Sequence, residues 1–257
     1  MKFATYVMVF DQNKWIMRNL ENSYQHVDRI YVMYSRLPWN YNPNAKQTFT
    51  NSFDLNIIKR SKYMDKISII EGDWDNEVEE RNFCLQRAKA DGFDYLMVHD
   101  ADEFYFHDDF EKIISLVKIC KDIDIFHINN YVFWKSLKYI IINSEGTKIG
   151  MISQSIINLH TIEKYEDTRN VKRVCVRLTM PEIICYHGAY VLSDRETYKK
   201  IKTWAHFVNF DTDKWYNEVW LPWTLESKNL HPIWPKVWSH CEIYEGLLPE
   251  VIRDFKE

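Results

Sequence analysis

Apolar positions in the first half of the chain switch repeatedly between a strand pattern and a helix pattern. Phe3–Phe10 is a nearly continuous apolar run and predicts a buried strand. Lys14–Tyr24 carries Trp15, Met17, Leu20 and Tyr24 at near-helical spacing. Arg29–Tyr34 predicts a second strand, and Pro38, Pro43 and several Asn make 35–50 a loop. A helix is expected between Phe53 and Tyr63, then a strand over Lys66–Glu71. Asn76 and Glu79 form a capping box for a helix to about Ala90, which Asp91-Gly92 ends. Asp94–His99 predicts a fourth strand. Asp108 and Glu111 make a second capping box for a helix to about Cys120, and Asp124–Asn129 predicts a fifth strand.

This alternation implies an α/β fold with a mostly parallel sheet covered on both faces. After residue 130 the pattern changes. Tyr131–Ile142, Thr147–Leu159, Lys172–Leu178 and Ile183–Tyr186 read as strands without long helices between them. Ser193 and Glu196 make a third capping box for a helix to about Val208, and a last helix is expected over Thr212–Leu225. No linker or repeat interrupts the chain, so the expectation is one domain, 1–257, with halves 1–130 and 131–257.

Composition narrows the function classes. Apolar residues make up 46% and charged residues 27%, proportions that exclude a disordered or collagen-like chain. A net charge of −4 gives no basic field for nucleic acid. No stretch approaches the roughly 18 apolar residues of a membrane helix. The N-terminus reaches Asp11 too soon for a signal peptide, so the expected location is the cytoplasm, or the host cytoplasm for a viral chain. Five scattered cysteines without a C-x-x-C pair read as buried free thiols. The six glycines never form G-x-G-x-x-G or a P-loop, so a bound nucleotide is held another way. Aromatics reach 16%, and six of the ten tryptophans fall between 204 and 238. Flat rings of this kind suit either a core or the apolar face of a sugar.

The chemistry concentrates in Tyr95-Leu-Met-Val-His-Asp-Ala-Asp-Glu-Phe104. Here an apolar strand ends directly in acid. In extended chain Asp100 and Asp102 share a face, and two carboxylates at a strand's carboxyl end suit Mg²⁺ or Mn²⁺. That edge is where open α/β sheets bind ligands. A solvated acidic turn is the plain alternative. Val78, Arg81, Leu85 and Ala88 form one helical stripe, which turns Arg81 inward in the first turns of its helix. Such a cation suits phosphate, or else it pairs with Glu77 or Asp75. His187, after the strand Ile183–Tyr186 and beside the flexible Gly188, is a candidate third metal ligand or a plain strand-end histidine.

The runs Gly72-Asp-Trp-Asp-Asn-Glu-Val-Glu-Glu-Arg-Asn82 and Asp94–Phe104, with Tyr186-His-Gly-Ala-Tyr-Val191, resemble the family 2-like glycosyltransferases of GT-A fold. The resemblance implies a Rossmann-like sheet and a nucleotide-diphosphate sugar donor, UDP-linked in preference to GDP-linked. It implies Mn²⁺ or Mg²⁺ held by Asp100, Asp102 and His187. Asp100 would also reach the ribose, Phe10, Asp11 and Tyr34 would lie near the nucleobase, and Arg81 would approach the donor. Two departures stand out. The first strand ends Val-Phe-Asp where Thr-Tyr-Asn is common, and the Glu-Asp pair that often supplies the base is missing after residue 130.

The leading expectation is metal-dependent, inverting transfer of a sugar to the hydroxyl of a glycan or other acceptor, with Asp194 and Glu218 as candidate bases. A nucleotidyltransferase or phosphohydrolase is a second reading of the same carboxylates. A carbohydrate-binding protein without catalysis is a third, and it explains the tryptophans but not the acidic strand end.

Overall fold

A computed structural model describes residues 1–171 and 174–255. The first half follows the expected order. β1 (Phe3–Val9), α1 (Ile16–Tyr24) and β2 (Arg29–Ser35) come first. Two single turns follow, α2 (Ala45–Thr48) and α3 (Asn56–Lys59), then β3 (Ile67–Gly72). α4 (Glu77–Ala90), β4 (Tyr95–Val98), the two-residue β5 (Glu103–Phe104) and α5 (His107–Ile119) complete it. The second half is β6 (Ile125–Trp134), β7 (Ser136–Ile142), β8 (Ile149–Asn158), β9 (Arg177–Tyr190), α6 (Asp194–Thr203), α7 (Thr212–Trp215), β10 (His240–Ile243) and α8 (Glu250–Arg253).

One sheet runs through both halves in the order β10-β7-β6-β8-β4-β1-β2-β3, with β9 beside β6 and β5 beside β9. β3, β2, β1 and β4 are mutually parallel. β8 is antiparallel to β4, and β9 runs parallel to β6. This is the expected α/β architecture, with a parallel sheet flanked by helices and continued by antiparallel strands.

Period-2 alternation explains why both faces are covered. Phe3, Val7 and Val9 of β1 enter one core with Ile16 and Leu20 of α1 and Phe110, Ile113 and Val117 of α5. Ala4 and Tyr6 enter the opposite core with Cys84, Leu85 and Ala88 of α4. A third core gathers Trp134, Trp215, Trp220 and Trp238 around Tyr190, so most of the tryptophan cluster is packing.

Several expectations change in detail. The helix over Phe53–Tyr63 shrinks to the single turn α3, and α2 appears inside the expected loop. Asp108 and Glu111 form no capping box. α5 starts at His107, and Asp108 and Asp109 occupy its first turn, where acid favours the helix dipole. Asn76 does accept from Glu79 N, and Ser193 and Glu196 form the full reciprocal box. Lys135 at φ 61° splits Tyr131–Ile142 into β6 and β7. Of the strand expected over Lys172–Leu178, Lys172 and Arg173 lie outside the described residues and only Arg177 and Leu178 are extended in β9, which continues through the expected Ile183–Tyr186 strand to Tyr190. α6 ends at Thr203, five residues before Val208. The Thr212–Leu225 helix is only α7 and one π-helical turn, Tyr216–Trp220. That wide turn lets Trp215 and Trp220, five residues apart, enter the same core.

Candidate active site

β4 delivers the chain to the carboxyl edge of the parallel strands, and there the backbone stops being extended. Glu103 N donates to Asp100 O at 2.9 Å and Asp100 N donates to Glu103 Oε2 at 3.1 Å, closing a tight turn. The turn separates the two aspartates that extended chain would have aligned. Asp100 meets arginines, and Asp102 meets a histidine and a lysine.

Asp100 Oδ2 lies 2.5 Å from Arg169 Nη2 and 3.4 Å from Arg81 Nη2. The same Arg169 nitrogen reaches Glu103 Oε1 at 2.6 Å. Arg81 is buried and donates to Tyr6 Oη at 2.6 Å and to Glu77 Oε1. Among the described residues, Asp100 Oδ1 is buried without a hydrogen-bond partner. Burial alone would raise the Asp100 carboxyl, but Arg169 and Arg81 hold it well below the ordinary range. Glu103, more deeply buried and beside Asp100, is pushed up. The inward Arg81 of the sequence pattern is therefore real. Its partners are Glu77, Tyr6 and Asp100, so it positions a carboxylate from below.

Asp102 Oδ1 lies 3.3 Å from His187 Nε2, and Oδ2 lies 3.4 Å from Lys200 Nζ. Strand pairing makes this meeting. β5 runs antiparallel to β9 with Glu103 opposite His187, and Gly188 N donates to Asp102 O at 2.7 Å. Burial raises the Asp102 carboxyl, and Lys200 and His187 outweigh it, leaving it far below the usual range. Gly188 serves close approach rather than flexibility: a Cβ there would sit 3.2 Å from the Trp15 ring.

The β1 and β2 ends form the neighbouring wall. Asn51 bridges them, donating to Val9 O and Ser35 O. Asp11 has φ 59° and accepts from Ser52 N and Oγ. It also pairs with Lys199, whose ammonium lies 5.2 Å from the Phe10 ring centroid. Tyr34 stands beside Val9 in register and donates to Phe53 O at 3.4 Å. Phe10, Asp11 and Tyr34 thus share one edge of the sheet with the acidic turn.

Asp194 and Glu218 are not brought to the acidic turn by any contact among the described residues. Asp194 Oδ1 accepts from Trp220 Nε1 at 2.8 Å and Lys135 Nζ at 3.2 Å, which lowers its carboxyl. Glu218 is exposed, 4.0 Å from Lys214. The residues that sequence reasoning missed are Arg169, Lys199, Lys200 and Asn51. Arg169 and Asn51 sit in loops without a pattern. The lysines sit on a well-signalled helix, where Lys200 lies one turn after the buried Thr197, so helix geometry could have placed it near the sheet.

Among the described residues no three His, Cys, Asp or Glu side chains gather as a metal site, and no helix is long and apolar enough to cross a membrane. No protein-family model and no curated protein matches the chain. Solved structures align at low identity. S. aureus TarS is 14% identical with a TM-score of 0.44, over 77% of this chain and 38% of that one. S. aureus TarS 1–349 in complex with UDP is 13% identical with a TM-score of 0.42, over 77% and 63%. The 4-diphosphocytidyl-2C-methyl-D-erythritol synthase of Anaerococcus prevotii is 10% identical with a TM-score of 0.43, over 77% and 94%. The chain thus spans well under half of that TarS chain. Likenesses this distant carry no information on activity.

Proposed function

We propose that the chain is a GT-A-type glycosyltransferase. It moves a sugar from a nucleotide-diphosphate donor, UDP-linked before GDP-linked, to the hydroxyl of a glycan or other acceptor, with inversion and with Mn²⁺ or Mg²⁺. The observation that carries this reading is the Asp102–His187 pair at the carboxyl edge of parallel strands, with Lys200 on Asp102 and with Arg81 and Arg169 on the neighbouring Asp100.

The donor set fits a divalent ion. Two ligands each about 2.1 Å from one ion stand about 3 Å apart when adjacent, and His187 Nε2 and Asp102 Oδ1 are 3.3 Å apart. Magnesium-type sites take one or two carboxylates and complete themselves with phosphate and water, so two protein ligands suffice. Asp102 and His187 would hold the ion, with the unpartnered Asp100 Oδ1 nearby. Bound there, it would neutralise charge developing on the leaving diphosphate. Asp100 is oriented by Arg169 and Arg81, Asp102 by the backbone of Gly188, and Phe10, Asp11 and Tyr34 would lie near the base.

The test is a thermal-shift panel of UDP- and GDP-linked ligands with Mn²⁺ or EDTA. One nucleotide is expected to raise Tm only with the ion, and Asp102→Ala to abolish the rise. No rise with either nucleotide would overturn the reading.

A further inference from the structure

Three side-chain nitrogens meet where α1 ends and α5 begins. Gln25 caps the end of α1 and His26 follows it, while His107 opens α5. His26 Nε2 and His107 Nδ1 are 3.0 Å apart, and Gln25 Nε2 lies 3.1 Å from the first and 2.9 Å from the second. The His26 ring stacks on Phe110, with centroids 4.9 Å apart and planes within 6°. The His107 backbone N–H donates to Glu250 Oε2 at 3.3 Å.

Hydrogen bonds alone cannot close this triangle. A ring nitrogen carries either a proton or a lone pair, and an amide nitrogen only donates. If Gln25 donates to both rings, two lone pairs face each other across the third side. If one ring donates to the other, its N–H faces the N–H of the amide. Turning the amide to present Oε1 moves the conflict to another side without removing it. A cation at the centre satisfies all three sides at once, with two ring lone pairs and Oε1 as ligands. The dimensions agree, because ligands each about 2.1 Å from a six-coordinate ion stand about 3 Å apart when adjacent.

We propose that Gln25, His26 and His107 form a site for a divalent transition ion of the Zn²⁺ and Ni²⁺ class, separate from the carboxylates at Asp100 and Asp102. Imidazole suits these ions, whereas Mg²⁺ prefers oxygen. Burial, with His107 and Lys66 beside it, lowers His26 to about 4, so near pH 7 its ring is neutral and able to coordinate. Lys66, the neighbouring cation, donates to Tyr24 O and Val27 O. The last turn of α1 carries no basic residue, and a helix C-terminus favours a cation. Asp108 and Asp109 bring acidic charge to the start of α5. The ion would staple α1 to α5 beside the segment that carries the acidic turn. α1 already grips that segment, since Asn19 donates to Asp100 O at 2.9 Å and Asn22 exchanges two hydrogen bonds with the Tyr105 backbone. This site stands whether or not the donor-site reading holds.

The experiment uses the whole chain, cleared of metal, with Zn²⁺ as the probe in calorimetry and thermal shift. Zn²⁺ is expected to bind and to raise Tm. His26→Phe, which keeps a ring on Phe110, and His107→Ala are each expected to weaken that binding about a hundredfold, at the upper end of what losing an outer partner of a metal ligand costs. Folded Asp102→Ala is expected to keep it. Gln25→Glu places a charged oxygen third in the triangle and is expected to tighten Zn²⁺ about tenfold, a gain that misfolding does not produce. No uptake of Zn²⁺ by the wild type overturns the proposal. So does unchanged affinity in a folded His26→Phe or His107→Ala. Binding lost in folded Asp102→Ala belongs to the acidic turn and overturns it as well. Gln25 is exposed, so Gln25→Glu decides the matter even where both histidine variants fail to fold: affinity no tighter than wild type overturns the site.

Discussion

Arg169 shows how much of the site depends on one side chain. It bridges Asp100 and Glu103 from a loop, following Thr168, a β-branched residue at φ 30°. Such a backbone persists only where the surroundings enforce it. Arg169→Met leaves Glu103 without its cation and Asp100 with Arg81 alone. A loss of about 3–5 kcal/mol in urea unfolding is expected. Adding Glu103→Gln removes one stranded charge, and the double variant is expected to recover part of that loss. A double variant no more stable than Arg169→Met would show that the bridge is not what holds the turn. The contrast with Asp100 and Asp102 explains what a sequence reveals about such a site. The aspartates were legible because they interrupt an apolar strand, and Arg81 because it falls on a buried helical stripe. Arg169 lies 69 residues from Asp100 and Lys200 lies 98 from Asp102. Neither is tied to its partner by any local periodicity, because sheet topology alone makes them neighbours.

α6 carries Lys199 and Lys200 to the site, and the ion pairs along it add to the burial of Thr197 and Ile201. Lys14 pairs with Glu196, Lys135 with Asp194, Lys199 with Asp11, and Lys200 with Asp102. Its start is set locally by the Ser193–Glu196 box. Ser193→Ala removes a side-chain acceptor from the first turn, and about 1 kcal/mol of stability is expected to be lost. Urea midpoints measure the loss, and nucleotide affinity is expected to fall as well, since the same helix carries Lys199 and Lys200. A stability loss with nucleotide affinity unchanged would detach the helix from the site. Capping boxes were legible where the cap residue has no competitor. The Asp108–Glu111 box failed because Phe106 is the residue that caps α5 in extended backbone, placing both acids inside the helix. The tryptophan-rich helix failed for a tertiary reason, since large rings seeking one core imposed a turn that no propensity favours.

Across the whole molecule, two buried histidines contribute to the response to acid. Burial lowers His99 and His231 to about 3, so both are neutral in the fold, and His231 Nδ1 accepts from Ile233 N and Trp234 N. Unfolded, each takes up a proton near pH 6.5. The unfolded chain therefore binds more protons below that pH. Stability is present above about 6.5 and lost as pH falls towards 3. The urea midpoint is expected to drop between pH 7 and pH 5, and His231→Asn, which keeps an acceptor for the turn but cannot titrate, is expected to shallow that slope. An unaltered slope would mean that His231 takes no part. The sheet spreads through both halves because the order of strands, unlike their existence, follows from long-range pairing. The third core gives one more consequence. Tyr190 lies under the Lys200 ammonium and stacks 5.0 Å from Trp134, which in turn touches Trp220 beneath the Lys135 ammonium. A row of coupled chromophores thus ends against the cation that any ligand at Asp102 must disturb. A ligand that displaces the Lys200 ammonium is expected to change the near-ultraviolet dichroism and intrinsic emission of the native chain, so filling could be timed in a stopped-flow cell without attaching a dye.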